Sequence, residues 1–185
     1  MDFESAPNSG SNPIFGVDGF DFDFTASGWF IGDPSVFFYP GTTNGTNILA
    51  LGGDRNGQNA NVVMTKSGGG AFDLGTLDAA GFADGTTNMI NVVGALFGGG
   101  SVSQVLSVGD SFTSYMLTGF EDVVSVTFES QNSGFYNTGS AAGFALDNLD
   151  TTPGVSVVPL PGALPLLLIG LGGLGVAARR RSAPV

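Results

Sequence analysis

"GFDFDFT", residues 19–25, decides the fold class. Side chains along a strand alternate between its faces, so Phe20, Phe22 and Phe24 fall on one side and Asp21 and Asp23 on the other. A helix would scatter the same residues around its axis. "VVSVTFES" (123–130) repeats the pattern, with Val124, Val126 and Phe128 expected inward and Ser125, Thr127 and Glu129 outward. Working outward, "NILALGG", "NVVMTK", "GAFDLGTL", "MINVVGALF", "SVSQVLSV", "SFTSYML" and "GFALDNL" are further strand-length apolar pieces. Gly, Asn, Asp and Ser clusters separate them. Nothing before residue 160 sustains a 3.6-residue apolar period with caps. The expectation is an all-β domain over residues 1–150, with about nine to eleven strands in an antiparallel β-sandwich of jelly-roll type.

The composition narrows the chemistry. The chain has 185 residues, no cysteine and no histidine, and its sixteen acidic residues all precede residue 151. Only Arg55 and Lys66 oppose them, so residues 1–158 carry 2 − 16 = −14. A body this acidic repels phosphate backbones and excludes nucleic acid as a partner. Without histidine the usual triads, zinc sites and haem ligands are out of reach, which argues against an ordinary hydrolase. Ser111, in the G-D-S of "VGDSFTS" (108–114), therefore has no conventional base and reads as a turn entering a strand. Asp21/Asp23 and Glu121/Asp122 are nominal carboxylate pairs for glycoside hydrolysis, but sixteen acids produce many such pairs by chance. "DRNGQN" (54–59) lacks EF-hand spacing and reads as a polar loop.

"DTTPGVSVVP" (150–159) reads as a linker, set at residues 151–159, and leads into "VVPLPGALPLLLIGLGGLGVAARRR" (157–181). Sixteen residues from Ala163 to Ala178 carry no charge, roughly 24 Å of helix, which suits a thin bilayer. Arg179, Arg180 and Arg181 follow at once and fix an N-outside, C-inside orientation. Leucines on every side leave no polar face for a water-facing core helix. "GLGGLG" (170–175) also fits a dinucleotide fingerprint, but no strand precedes it and the arginines end it.

A short proline motif, an apolar helix and a basic end, in that order, resemble the PEP-CTERM class of sorting signals, in its VPLPA variant. Val158, Pro159, Leu160, Pro161 and Gly162 form the motif, with Gly162 where the variant has alanine. The resemblance implies an exported surface or matrix protein of a Gram-negative cell envelope, and the lack of histidine and cysteine makes a non-catalytic one the expectation. It implies an exosortase-type membrane enzyme as partner, and transient anchoring in the inner membrane. It also implies a signal peptide. Met1 runs directly into "DFES", so a miscalled or trimmed start is expected.

Two further readings concern the β domain. Exported jelly rolls, including many carbohydrate-binding modules, look similar at "DFES" and "GFALDNLD", where a first and a last strand pair and hold a structural calcium. That resemblance implies Glu4 and Asp147 as ligands, with Asp2 and Asn148 as weaker ones, and hard oxygen donors suit Ca²⁺. Trp29, Phe38 and Tyr39 in "GWFIGDPSVFFYPG" (28–41) suit stacking on pyranose rings, or else core packing. A lectin or carbohydrate-active protein acting on extracellular polysaccharide is therefore the alternative to an inert surface protein. Ice binding finds no regular Thr-x-Thr array.

Overall fold

The computed structural model describes residues 1–4, 14–24, 29–32, 46–51, 61–81, 88–131 and 143–154. Eleven strands lie among the described residues: β1 (Ile14–Val17), β2 (Phe20–Phe24), β3 (Trp29–Gly32), β4 (Ile48–Leu51), β5 (Asn61–Lys66) and β6 (Phe72–Gly81), then β7 (Asn88–Leu96), β8 (Ser101–Val108), β9 (Thr113–Met116), β10 (Val123–Ser130) and β11 (Phe144–Pro153). All nine apolar pieces named from the sequence are strands, and every ladder is antiparallel. No helix long and apolar enough to cross a membrane occurs among the described residues.

The sheet folds over on itself. One half runs β1-β2-β5-β10-β7-β8 and the other β9-β6-β11-β4-β3. Among the described residues one bridge, Val123 to Phe72, joins them. Strands adjacent in space are often distant in sequence, as when β10 lies between β5 and β7, so the connections cross as in Greek-key sandwiches.

Alternation explains the core. Phe20, Phe22 and Phe24 are 8%, 0% and 7% exposed, as the opening stretch requires. The inner faces of both halves merge into one cluster, Phe22, Met64, Val92 and Phe128 on one side and Phe72, Leu74, Leu146 and Leu149 on the other. Phe20 reaches across the halves to Phe72, edge-on, with ring centroids 5.0 Å apart. Each fully buried phenylalanine contributes about 1.5–3 kcal/mol before ordering costs.

Two local features depart from simple alternation. In β10 the register shifts between Val123 and Ser125, so Val123 fills the core position expected for Val124, which is left half-buried. A β-bulge inserts one residue and flips everything on its near side. The part of "DFES" described, residues 2–4, is a bend and turn rather than a strand, although the Met1 ammonium donates to the Leu149 carbonyl at 2.5 Å and Phe3 is fully buried.

The two outer faces differ. On the five-stranded half, Ile48, Ala50 and Ala145 form a second buried cluster with Phe112 packed against it, so β4 is buried on both sides. The outer face of the six-stranded half is half-buried to exposed throughout its described side chains. The β8 and β9 edges are tied by side chains. Tyr115 donates to the Ser107 carbonyl at 2.7 Å, and Gln104 donates to the Met116 carbonyl at 2.9 Å while accepting from Thr118 N at 3.2 Å.

Candidate functional site

The two ends of the domain converge on residues 46 and 47. Glu4 Oε1 accepts from Asn47 N at 2.7 Å, and Thr46 Oγ1 donates to Asp147 Oδ2 at 3.0 Å. Asp147 is only 1% exposed, and its Oδ1 accepts from Asn148 N at 2.8 Å. Asn148 has φ 47° at a register shift in β11, a backbone that asparagine tolerates better than most residues. Its side chain donates to Asp78 Oδ2 at 2.9 Å, and Ser114 donates to Asp78 Oδ1. Asp2 Oδ1 accepts from Glu4 N at 3.3 Å.

Glu4 and Asp147 thus hold neighbouring residues of one loop. Asp78 is the member the sequence did not single out, because its place beside Asp147 depends on the β6–β11 register. The donors here are all oxygens, which fits a hard cation in kind. In number, no group of three or more His, Cys, Asp or Glu among the described residues stands close enough to hold a metal ion. Both oxygens of Asp147 and of Asp78 already receive hydrogen bonds from the protein.

The candidate catalytic residues do not assemble. Ser111 sits in an exposed turn before β9, 3.5 Å from Asp110 Oδ1, as the sequence reading expects. Asp21 accepts from Ser67 Oγ at 2.7 Å on the outer side of β2. Glu121 and Asp122 form the turn into β10, where Asp122 N donates to Asp73 Oδ1 at 2.8 Å. Burial pushes the Tyr115 phenol above its ordinary pKa.

The open outer face of the six-stranded half is the larger feature. Register partners share a face, so Asn61, Glu129 and Asn91 form one row across β5, β10 and β7. The next row runs Asp23, Val63, Thr127, Val93 and Ser103, and the one beyond it Asp21, Thr65, Ser125, Ala95 and Ser101. Val105 and Met89 add apolar surface at 53% and 44% exposure. Asn61 Oδ1 is buried and has no hydrogen-bond donor. Such an acceptor costs about 1–3 kcal/mol until a donor reaches it. Rows of amide, hydroxyl and carboxylate between short apolar side chains can hold a ligand that offers both hydroxyls and C–H faces. The sequence marks Asp21, Asp23, Ser125, Thr127 and Glu129 as outward, but neither the faces of β5, β7 and β8 nor the cross-strand alignment.

Trp29 lies on β3, paired with Leu51. Phe38, Tyr39, the motif Val158–Gly162 and Arg179–Arg181 lie outside the described residues.

No protein-family model and no curated protein matches the sequence. Among solved structures the chain is similar to a family 29 carbohydrate-binding module, at 13% identity and TM-score 0.44, over 83% of this chain and 90% of that one. It is similar to TmCBM61, solved with beta-1,4-galactotriose, at 9% identity and TM-score 0.45, over 80% and 99%. It is also similar to the family 30 module of a Clostridium thermocellum cellulosomal cellulase, at 13% identity and TM-score 0.40, over 78% and 88%. Likeness at this level carries no information about what this chain binds.

Proposed function

We propose that this protein is a non-catalytic, exported β-sandwich that binds polysaccharide on the outer face of its six-stranded half. The observation that carries the reading is the row Asn61–Glu129–Asn91 on an open face that alternates polar groups with short apolar side chains. Sugar hydroxyls can pair with the polar groups of these rows, and the Val63–Thr127–Val93 row suits the C–H side of a pyranose. No histidine or cysteine is available for chemistry, and the carboxylates serve as acceptors.

A glycan array tests this. Thr127→Arg places a long cation at the centre of the face and is expected to abolish binding, with the melting temperature unchanged. Trp29→Ala is expected to leave binding intact. The reverse result moves the site to the aromatic stretch 28–41, and no binding by the unaltered chain removes the reading.

Delivery is assigned to the tail. The motif Val158–Gly162, the apolar run 163–178 and Arg179–Arg181 are proposed as an exosortase-read sorting signal that anchors the chain transiently in the inner membrane. A secreted reporter carrying residues 155–185 is expected in the membrane fraction, and to accumulate there unprocessed when the exosortase is deleted. A reporter that stays soluble, or is indifferent to the deletion, contradicts this. At the junction of Glu4, Asn47, Thr46 and Asp147, with Asp2 and Asn148 beside it, structural Ca²⁺ is the proposed cofactor, favoured by the all-oxygen donors.

A further inference from the structure

We infer that the end of the β domain from which the tail leaves rests on a zwitterionic lipid surface, given that residues 163–178 span the membrane as proposed. Phe97, at the tip of the β7–β8 hairpin, enters the headgroup region. The strands bring tip and exit together. β10 begins at Val123, which pairs with Leu96 at the end of β7 and bridges to Phe72 at the start of β6. Phe72 in turn pairs with Pro153 at the end of β11. Asp122 links the two features directly. Its carbonyl accepts from Phe97 N at 2.8 Å, and its Oδ1 lies 3.0 Å from where a Cβ on Gly154 would stand.

The tip is not composed like an ordinary water-facing turn. Gly99 N donates to the Leu96 carbonyl at 3.0 Å and Leu96 N to the Gly100 carbonyl at 3.1 Å, which leaves Phe97 and Gly98 in the bend. Gly99 and Gly100 have φ of 89° and 88°, which glycine takes without strain. Phe97 serves no such backbone need, and polar residues or proline are the usual occupants of a bend. Its side chain stands 42% exposed. Residues 85–109 carry no charge, on a body with sixteen acids. A second exposed glycine turn, 68–70, lies at the same end after Lys66, the sole Lys or Arg among the described residues. A cation at this end suits lipid phosphate. Glu121 and Asp18 are exposed there too, so anionic lipid is disfavoured.

The tail decides what covers the tip. Eight residues, 155–162, separate Gly154 from the start of the apolar run. At about 3.3–3.6 Å per residue they reach less than roughly 30 Å even when fully extended. A body held this closely turns its exit end to the bilayer. An exposed phenyl ring at that end gains by leaving water for the headgroup and acyl boundary.

Spin labelling of the full chain in phosphatidylcholine nanodiscs tests the contact. The chain has no cysteine, so one introduced thiol carries the label alone. Gly98→Cys marks the tip, and Gly109→Cys, after β8 at the opposite end, is the control. Both glycines face open space without a positive φ. Label collisions with oxygen, which is enriched in lipid, are compared with those of a water-soluble nickel chelate. The tip label is expected to favour oxygen and the control label the chelate. Phe97→Ser is expected to shift the tip label toward the chelate with the fold retained, and Phe97→Leu to leave it in lipid. Added phosphatidylglycerol is expected to weaken the contact. A water-exposed tip label on a chain that stays with the nanodisc overturns the inference and leaves the role of the tail in place. An unmoved label in Phe97→Ser, or equal oxygen preference at both positions, also overturns it. A chain that does not stay with the nanodisc removes both.

Discussion

Gly94 stands where three side chains meet: a Cβ there would lie 2.8 Å from Val123 Cγ1 and 3.0 Å from both Phe120 Cδ1 and Val102 Cγ1. All three contacts are with packed apolar groups, so the strand has no soft neighbour to displace. Gly94→Ala is expected to destabilise the fold by about 1–3 kcal/mol through overpacking, read as a lower melting temperature with the fold retained. An unchanged melt would mean that the bulged end of β10 yields more easily than its packing implies. Glycine inside an apolar strand signals such a close approach, and "MINVVGALF" carries the signal in plain view. Asp18-Gly19 is equally legible in retrospect. Its φ values of 51° and 81° form the tight hairpin joining β1 and β2, and Asp-Gly favours that turn.

At the level of elements, the long pieces were readable by their alternation and the short β4 and β9 by apolar runs between turn residues, whereas β1 and β3 were not. β2, β5, β7, β8 and β10 alternate over five to nine residues, so their period is visible without neighbours. β1 and β3 have four residues each, too few to define a period, and β1 contains a glycine. The bulge in β10 was also hidden, because Val123 and Val124 are chemically interchangeable and only pairing with β7 chooses between them. The same limit applied to the site. Glu129, Thr127, Ser125, Asp21 and Asp23 were identified as outward, whereas the place of Asn61 and Asn91 beside Glu129 needs the order of strands. The junction between residues 1–4, residues 46–47 and β11 carries the calcium prediction. Chelation with EDTA is expected to lower the melting temperature and excess Ca²⁺ to restore it. An unchanged melt assigns the stability of this junction to its hydrogen bonds alone.

For the whole molecule, the two halves of the sheet divide the work. One outer face is closed over Ile48, Ala50 and Ala145 and adds to the core. The other stays open and polar, and it carries the binding claim. Charge adds a second asymmetry, with an acidic body followed by a tail whose last seven residues hold three arginines and no acid. Under the delivery proposed for the tail, the acidic body is the part that crosses the membrane. The most direct test of its role there is amide hydrogen exchange, with and without the tightest glycan from the array. Bound glycan is expected to slow exchange along β5, β10 and β7 and to leave β3, β4 and β11 unchanged. Protection confined to β3 and β4, or none at saturating glycan, would contradict the account.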